Sequence, residues 1–232
     1  MRWLAAACLL LSVLATDVGA QQSADVAIVL AVDASSSVNF GEFDLQMRGI
    51  AESFRSPEVQ RAVKAGPSGA VAITVVQWSG PLQVQQVLPW RLITDPESAE
   101  ALAKEVETTP RFFTVGSTAI GQALTYSASM FEKLPWSAGR RVIDLSGDGA
   151  NTDNPPVEPA REAVLKLGIT INGLPIQAQE VDIDVYYRDK VIGGHGAFVE
   201  VAKDYEAFKE AMTRKLIREI RTEPLISWLD EG

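Results

Sequence analysis

The 232-residue chain contains a single cysteine and a single histidine. Cys8 falls within the first twenty residues, so the body of the protein has no thiol. Neither disulfides nor thiolate chemistry can then account for its stability or activity. His195 lies between glycines in "GGHGAF" and reads as a surface turn residue. A Ser-His-Asp triad would depend on it alone, and no G-x-S-x-G turn exists to hold the serine. Positive charge is also scarce: 21 Lys and Arg stand against 30 Asp and Glu, a net charge of −9. Such a surface offers no basic patch to nucleic acid or anionic lipid, and both are set aside as partners.

Long apolar runs are missing except at the start. Arg2, the run "WLAAACLLLSVLA" and then Val18-Gly19-Ala20 follow the order of an export signal cleaved after Ala20. The run is shorter than the roughly 20 residues a spanning helix needs, so no stable membrane anchor is expected after cleavage. Cys8 precedes most of the run and has no leucine three residues before it, which makes it part of the signal rather than a lipid acceptor. The expected organisation is a signal peptide over 1–20, one domain over 25–222 and a tail over 223–232. Leu225, Ile226 and Trp228 in that tail would fold back onto the body or dock a partner. The mature protein is expected in the periplasm or outside the cell.

With 47% hydrophobic residues the chain can bury one large core. From Asp25 on, short β-branched runs alternate with amphipathic segments, the rhythm of a parallel sheet covered by helices on both faces. The pattern predicts a doubly wound α/β fold with a mostly parallel, six-stranded sheet. Strands are expected at 26–32, 70–78, 82–88, 141–146, 169–174 and 197–201. The third, "LQVQQVL", alternates apolar and Gln after the short link "SGP", so it should be the antiparallel edge strand. Helices are expected at 39–55, 96–106, 118–133, 157–167 and 204–221, the last with Phe208, Met212, Leu216 and Ile220 on one stripe.

The first strand, "VAIVLAV", delivers Asp33 followed by three serines. Loops at the carboxyl ends of the strands of an open α/β sheet gather at a switch point where ligands bind. Ser35 and Ser37 alternate on the turn, so both hydroxyls can face one point beside Asp33. Thr118 in "VGSTAIG" and Asp148 in "LSGDGAN" should reach the same place. Three hydroxyls and two carboxylates, all oxygen, suit a hard cation such as Mg²⁺, with Mn²⁺ or Ca²⁺ as substitutes.

These residues resemble the von Willebrand factor type A domain, whose metal-ion-dependent adhesion site is written D-x-S-x-S, then a threonine, then an aspartate in D-G. Here the pattern reads Asp33-Ala34-Ser35-Ser36-Ser37, Thr118 in "GST" and Asp148 in "GDG". "VIDLSGDGAN" with "VIGGHGAFVEVAKDYEAF" is similar to an exported bacterial subfamily, domain of unknown function 1194. The resemblance implies that Ser35, Ser37 and Thr118 touch the metal while Asp33 and Asp148 act mainly through water. One position is then left for an Asp or Glu of a protein partner. Gly147 departs from the pattern, standing where the family commonly has Thr or Ser, as does Ser36, where it often has Gly. Neither change removes a ligand.

The implied function is metal-dependent protein binding and not catalysis. A lone "DASSS" would also serve as a helix N-cap, with Ser37 or Asn39 in that role. Asp144, an acid inside an apolar strand, would support the site or hydrogen-bond an adjacent loop. Two other functions stand beside the adhesive one. The first is an envelope scaffold or assembly factor that binds no metal. The second is a Mg²⁺-dependent phosphohydrolase of the haloacid dehalogenase type, disfavoured because position 35 is serine where that chemistry commonly needs a second acid.

Overall fold

The computed structural model describes residues 22–180 and 182–221. The expected signal peptide and the 223–232 tail lie outside them. Five strands form one sheet in the order β3-β2-β1-β4-β5: β1 (Ser23–Asp33), β2 (Val71–Trp78), β3 (Val84–Ile93), β4 (Ser137–Gly147) and β5 (Thr170–Pro175). All neighbours are parallel except β2 and β3, which pair antiparallel. β3 is therefore the antiparallel edge strand expected from its alternating pattern. It runs five residues past the expected end, through Pro89, because an edge strand tolerates a residue with no N–H to give.

The side-chain alternation of β1 splits the core in two. Val26, Ile28, Leu30 and Val32 face α1 (Phe40–Arg55), α2 (Pro57–Ala65), α3 (Pro96–Thr108) and α7 (Phe208–Arg221). Ala27, Val29 and Ala31 face α4 (Ile120–Ser129), α5 (Val157–Lys166) and the short α6 (Ile183–Tyr186). Asp33 continues the second series, and its buried carboxyl shares that face with Trp78 and Tyr187.

The sixth expected strand, 197–201, is a correction. This segment meets β5 through an isolated bridge, Gly173 with Val199, and a second bridge, Ile176 with Ala202, lies just past both. Two things break up a ladder there. Gly193 exchanges both main-chain hydrogen bonds with Ile171, occupying the first part of the β5 edge. The Phe198 N–H then turns to the Asn172 side chain at 3.1 Å. Two helices went unexpected. In α2, Ser56 accepts from the Val59 N–H at 3.3 Å and Pro57 opens the helix. After α6 the chain continues as a π-helical turn, Tyr187–Val191. Ile183, Tyr187 and Val191, spaced by four, turn one buried stripe inward. Expected helix 204–221 begins at Phe208, which leaves Tyr205 in a turn.

Candidate metal centre

The sheet order places the switch point between β1 and β4, and the carboxyl ends of these strands deliver Asp33 and Gly147-Asp148 side by side. A run of hydrogen bonds joins four of the five expected residues. The Ser35 N–H donates to Asp33 Oδ1 at 2.7 Å, the Ser35 and Ser37 hydroxyls lie 3.1 Å apart, and Ser37 Oγ donates to Asp148 Oδ1 at 2.7 Å. Asp33, Ser35 and Asp148 are almost fully buried, while Ser37 is half-buried. The helix-cap reading of this loop falls to Asn39, whose side chain accepts from the Glu42 N–H at 3.0 Å while Glu42 Oε2 accepts from the Asn39 N–H at 2.7 Å. Ser37 is thereby free to bond Asp148.

Thr118 enters from a third loop and is held by its main chain. Its N–H donates to Thr152 Oγ1 at 3.0 Å and its carbonyl accepts from the Thr152 N–H at 2.8 Å. Two residues earlier, Gly116 donates to Ser36 Oγ at 2.7 Å and accepts from the Ser36 N–H at 3.1 Å. The "GST" loop is thus clamped to both the serine turn and the Asp148 loop. No hydrogen bond runs from the Thr118 side chain to the serine pair among the described residues, and no side chain caps α4.

Three residues at the site were not anticipated. Gln46 Nε2 donates to the Asp33 carbonyl at 3.2 Å. Tyr205 OH donates to Asp148 Oδ2 at 3.1 Å. Tyr187 comes up beneath Gly147: a side-chain carbon at position 147 would lie 2.8 Å from both Asp33 Oδ2 and Tyr187 OH, and 3.2 Å from Trp78 Cζ2. The helical spacing of Ile183, Tyr187 and Val191 was the available sign that this stretch is built into the core.

The electrostatics follow from burial. The Asp33 carboxyl is pushed up to about 7, mostly by loss of water and then by the nearby Asp148. Its Oδ2 makes no hydrogen bond of normal geometry, although the Ser35 hydroxyl and the Asp148 main-chain N–H lie close enough to favour the ionised form. Trp78 Nε1 and Tyr187 OH, both buried on the same face, also lack partners. Burial first, then the charges of Asp33 and Asp148, hold the Tyr187 phenol far above its usual range, so it stays a donor. Burial and the same two charges act likewise on Tyr205.

Asp144 does neither of the things expected of it. It lies on the opposite face from Asp33 and pairs with Lys215 of α7, Oδ1 to Nζ 2.7 Å, while Lys215 also meets Glu219 Oε1 at 2.6 Å. His195 is an exposed turn residue whose carbonyl accepts from Thr170 Oγ1 at 3.3 Å.

Among the described residues no three His, Cys, Asp or Glu side chains cluster as metal ligands, and no helix is long and apolar enough to cross a membrane. The donor set at the switch point, two carboxylates and neighbouring hydroxyls, is the kind a hard, oxygen-seeking ion accepts. Buried Asp33 Oδ2, without a hydrogen bond of normal geometry, fits a group that calls for a cation nearby.

No curated protein matches the sequence. Solved structures share the fold. Proximal thread matrix protein 1 from the mussel byssus aligns at 16% identity with a TM-score of 0.63, covering 86% of this chain and 49% of its own. A further structure of that mussel protein, with a zinc-occupied MIDAS motif, gives 0.60 at 16% identity, covering 86% of this chain and 48% of its own. The pilus adhesin SpaC from Lactobacillus rhamnosus GG gives 0.60 at 14% identity, covering 86% and 31%. This chain therefore spans about half the length of the byssus protein and less of the adhesin. The sequence itself is placed by a family model matching residues 23–224: the chain belongs to the family described as Protein of unknown function (DUF1194).

Proposed function

We propose that this protein is an exported, von Willebrand factor A-like module that binds another protein through a Mg²⁺ site made by Asp33, Ser35, Ser37, Thr118 and Asp148. The observation that carries the reading is the hydrogen-bonded run Asp33–Ser35–Ser37–Asp148 at the switch point, with Asp33 Oδ2 left unpartnered. A divalent ion there supplies a positive charge that can accept an oxygen of a partner's Asp or Glu. The chain's own residues decide how much of that charge is left over. In this reading the neutral hydroxyls of Ser35, Ser37 and Thr118 face the ion and take nothing from its charge. The carboxylates act behind them, and both are already engaged, Asp33 by the Ser35 N–H and Asp148 by Ser37 and Tyr205. A net charge of −9 makes the ion the more necessary, because an acidic partner is otherwise repelled.

The adhesive and matrix proteins that share the fold support this reading over catalysis. A phosphohydrolase would need its first aspartate exposed to attack phosphorus, whereas Asp33 is fully buried with Oδ1 held by a main-chain N–H. Titration calorimetry of the chain from Gln21 onward with Mg²⁺ tests the proposal. One ion per chain is expected, with no heat of binding in Asp33→Ala and weakening of about tenfold or more in Ser35→Ala/Ser37→Ala. Wild-type affinity in Asp33→Ala would refute the site.

A further inference from the structure

Resting on the proposed reading of the site, we infer from its rim which acidic partner it selects: a protein segment whose Asp or Glu has apolar side chains beside it, presented to one flank only. The described residues include six large apolar side chains left exposed: Phe40, Leu82, Phe112, Val115, Leu167 and Val185. Three of them, Phe40, Phe112 and Val115, stand on the loops that build the site, and Leu82 stands in the neighbouring β2–β3 turn. Phe40 follows the serine turn and is 68% exposed. Its ring centroid lies 5.3 Å from the Arg111 guanidinium, which donates to the carbonyls of Ala34 at 3.0 Å and Ser35 at 2.8 Å.

Phe112 comes next to that arginine, its N–H fixed on Gln77 Oε1 at 2.9 Å. Val115, 68% exposed, accepts from Gln83 Nε2 at 2.8 Å through its carbonyl and precedes Gly116, the residue bonded to Ser36. Leu82, 97% exposed, sits beside Gln83 in the β2–β3 turn. Phe40 is thus tied to the serine turn through Arg111, and main-chain hydrogen bonds hold Phe112 and Val115 on the loop that Gly116 joins to Ser36. Isolated exposed apolar residues mean little, but several fixed around one polar centre mark a docking surface.

The other flank has the opposite character. Gln179 Nε2 donates to the Ser37 carbonyl at 2.9 Å, and the exposed Glu180 and Asp182 follow it. Glu180 Oε1 would lie 3.9 Å from a side-chain carbon at Gly149, immediately after Asp148. A partner therefore meets apolar side chains beside Ser35 and Ser36 and negative charge beside Ser37 and Gly149, which fixes its orientation and rejects a run of acids. Those carboxylates and the net charge of −9 also argue against insertion of the apolar rim into an anionic membrane.

The test uses two eight-residue peptides with one aspartate each, its neighbours Trp and Leu in one and Ser and Gly in the other. Fluorescence anisotropy is read with Mg²⁺ and with chelator, after the Mg²⁺ isotherm has been recorded. The Trp/Leu peptide is expected to bind about tenfold tighter, and neither peptide should bind in chelator. Phe40→Ser and Val115→Ser should each erode the preference severalfold while leaving the Mg²⁺ isotherm unchanged. Equal affinity for the two peptides, absence of peptide binding with Mg²⁺ bound, or a preference that survives both variants would overturn the inference. So would pelleting of the protein with phosphatidylglycerol vesicles that the same variants abolish. Absence of any Mg²⁺ isotherm would instead strike the proposed site itself, before a peptide is added.

Discussion

Lys215→Met is expected to cost about 3–5 kcal/mol of unfolding free energy at pH 8. Lys215 is fully buried and serves two carboxylates, Asp144 at 2.7 Å and Glu219 at 2.6 Å. Asn172 Nδ2 adds a hydrogen bond to Glu219 at 2.8 Å, while Arg140 spends its guanidinium on the Glu219 and Ile220 main-chain carbonyls. Asp144 Oδ2 and Glu219 Oε2 have no partner. Removing the ammonium would leave two buried acids facing each other without water or a cation.

The sign with pH can be worked out. Burial, then Glu219, push the Asp144 carboxyl up to about 7 against the pull of Lys215. A carboxyl whose folded pKa exceeds its unfolded value stabilises the fold at low pH, and that contribution is lost as pH rises from about 4 to about 7. Without Lys215 the carboxyl is driven higher still. The deficit of the variant should therefore be larger at pH 8 than at pH 5 in urea unfolding. Replacing Asp144, Lys215 and Glu219 together by apolar residues of similar volume should recover most of the loss. A deficit under about 1 kcal/mol, or one independent of pH, would contradict this account of the cluster.

Gly147→Thr should destabilise by about 1–3 kcal/mol and weaken Mg²⁺ binding with it. The added carbon has no room: it meets Asp33 Oδ2 and Tyr187 OH at 2.8 Å and the Trp78 ring at 3.2 Å. Asp33 is the group with least freedom to yield, since its Oδ1 and carbonyl are both held by hydrogen bonds. The cost should fall in the Tyr187→Phe background, where one of the two crowding oxygens is gone. Because the two positions share a contact, the double-mutant cycle should show a coupling of about 0.5–3 kcal/mol. Additive effects would mean that Tyr187 does not fill the space a side chain at 147 would take.

That pair also shows where the sequence stops being readable. Asp33, Ser35, Ser37 and Asp148 were legible because strand ends and a short motif bring them together, and the structure joins them by hydrogen bonds. What Gly147 gives up could be seen as a missing hydroxyl. That Tyr187 reaches this place could not, since α5, β5 and α6 lie between them in sequence. Lys215 and Glu219 are different, for they stand four apart on the buried stripe of Phe208, Met212, Leu216 and Ile220. Opposite charges on an apolar helix face, with an unexplained Asp144 in an apolar strand, were the sign of a buried ion cluster. The sixth strand failed for a local reason: "AFVEV" has strand composition and bonds the main chain of Gly173, but Gly193 holds the start of the β5 edge and the Phe198 N–H goes to the Asn172 side chain, so the pairing stays at isolated bridges.

The relation between the ion and the oxygens around it decides the account, and crystals of the protein soaked in Mn²⁺ would show it through anomalous scattering. One peak per chain is expected at the mouth of the switch point, with the hydroxyls of Ser35, Ser37 and Thr118 nearest and the carboxyls of Asp33 and Asp148 behind them. A peak bonded directly by both carboxyls, or lying away from Thr118, would contradict it.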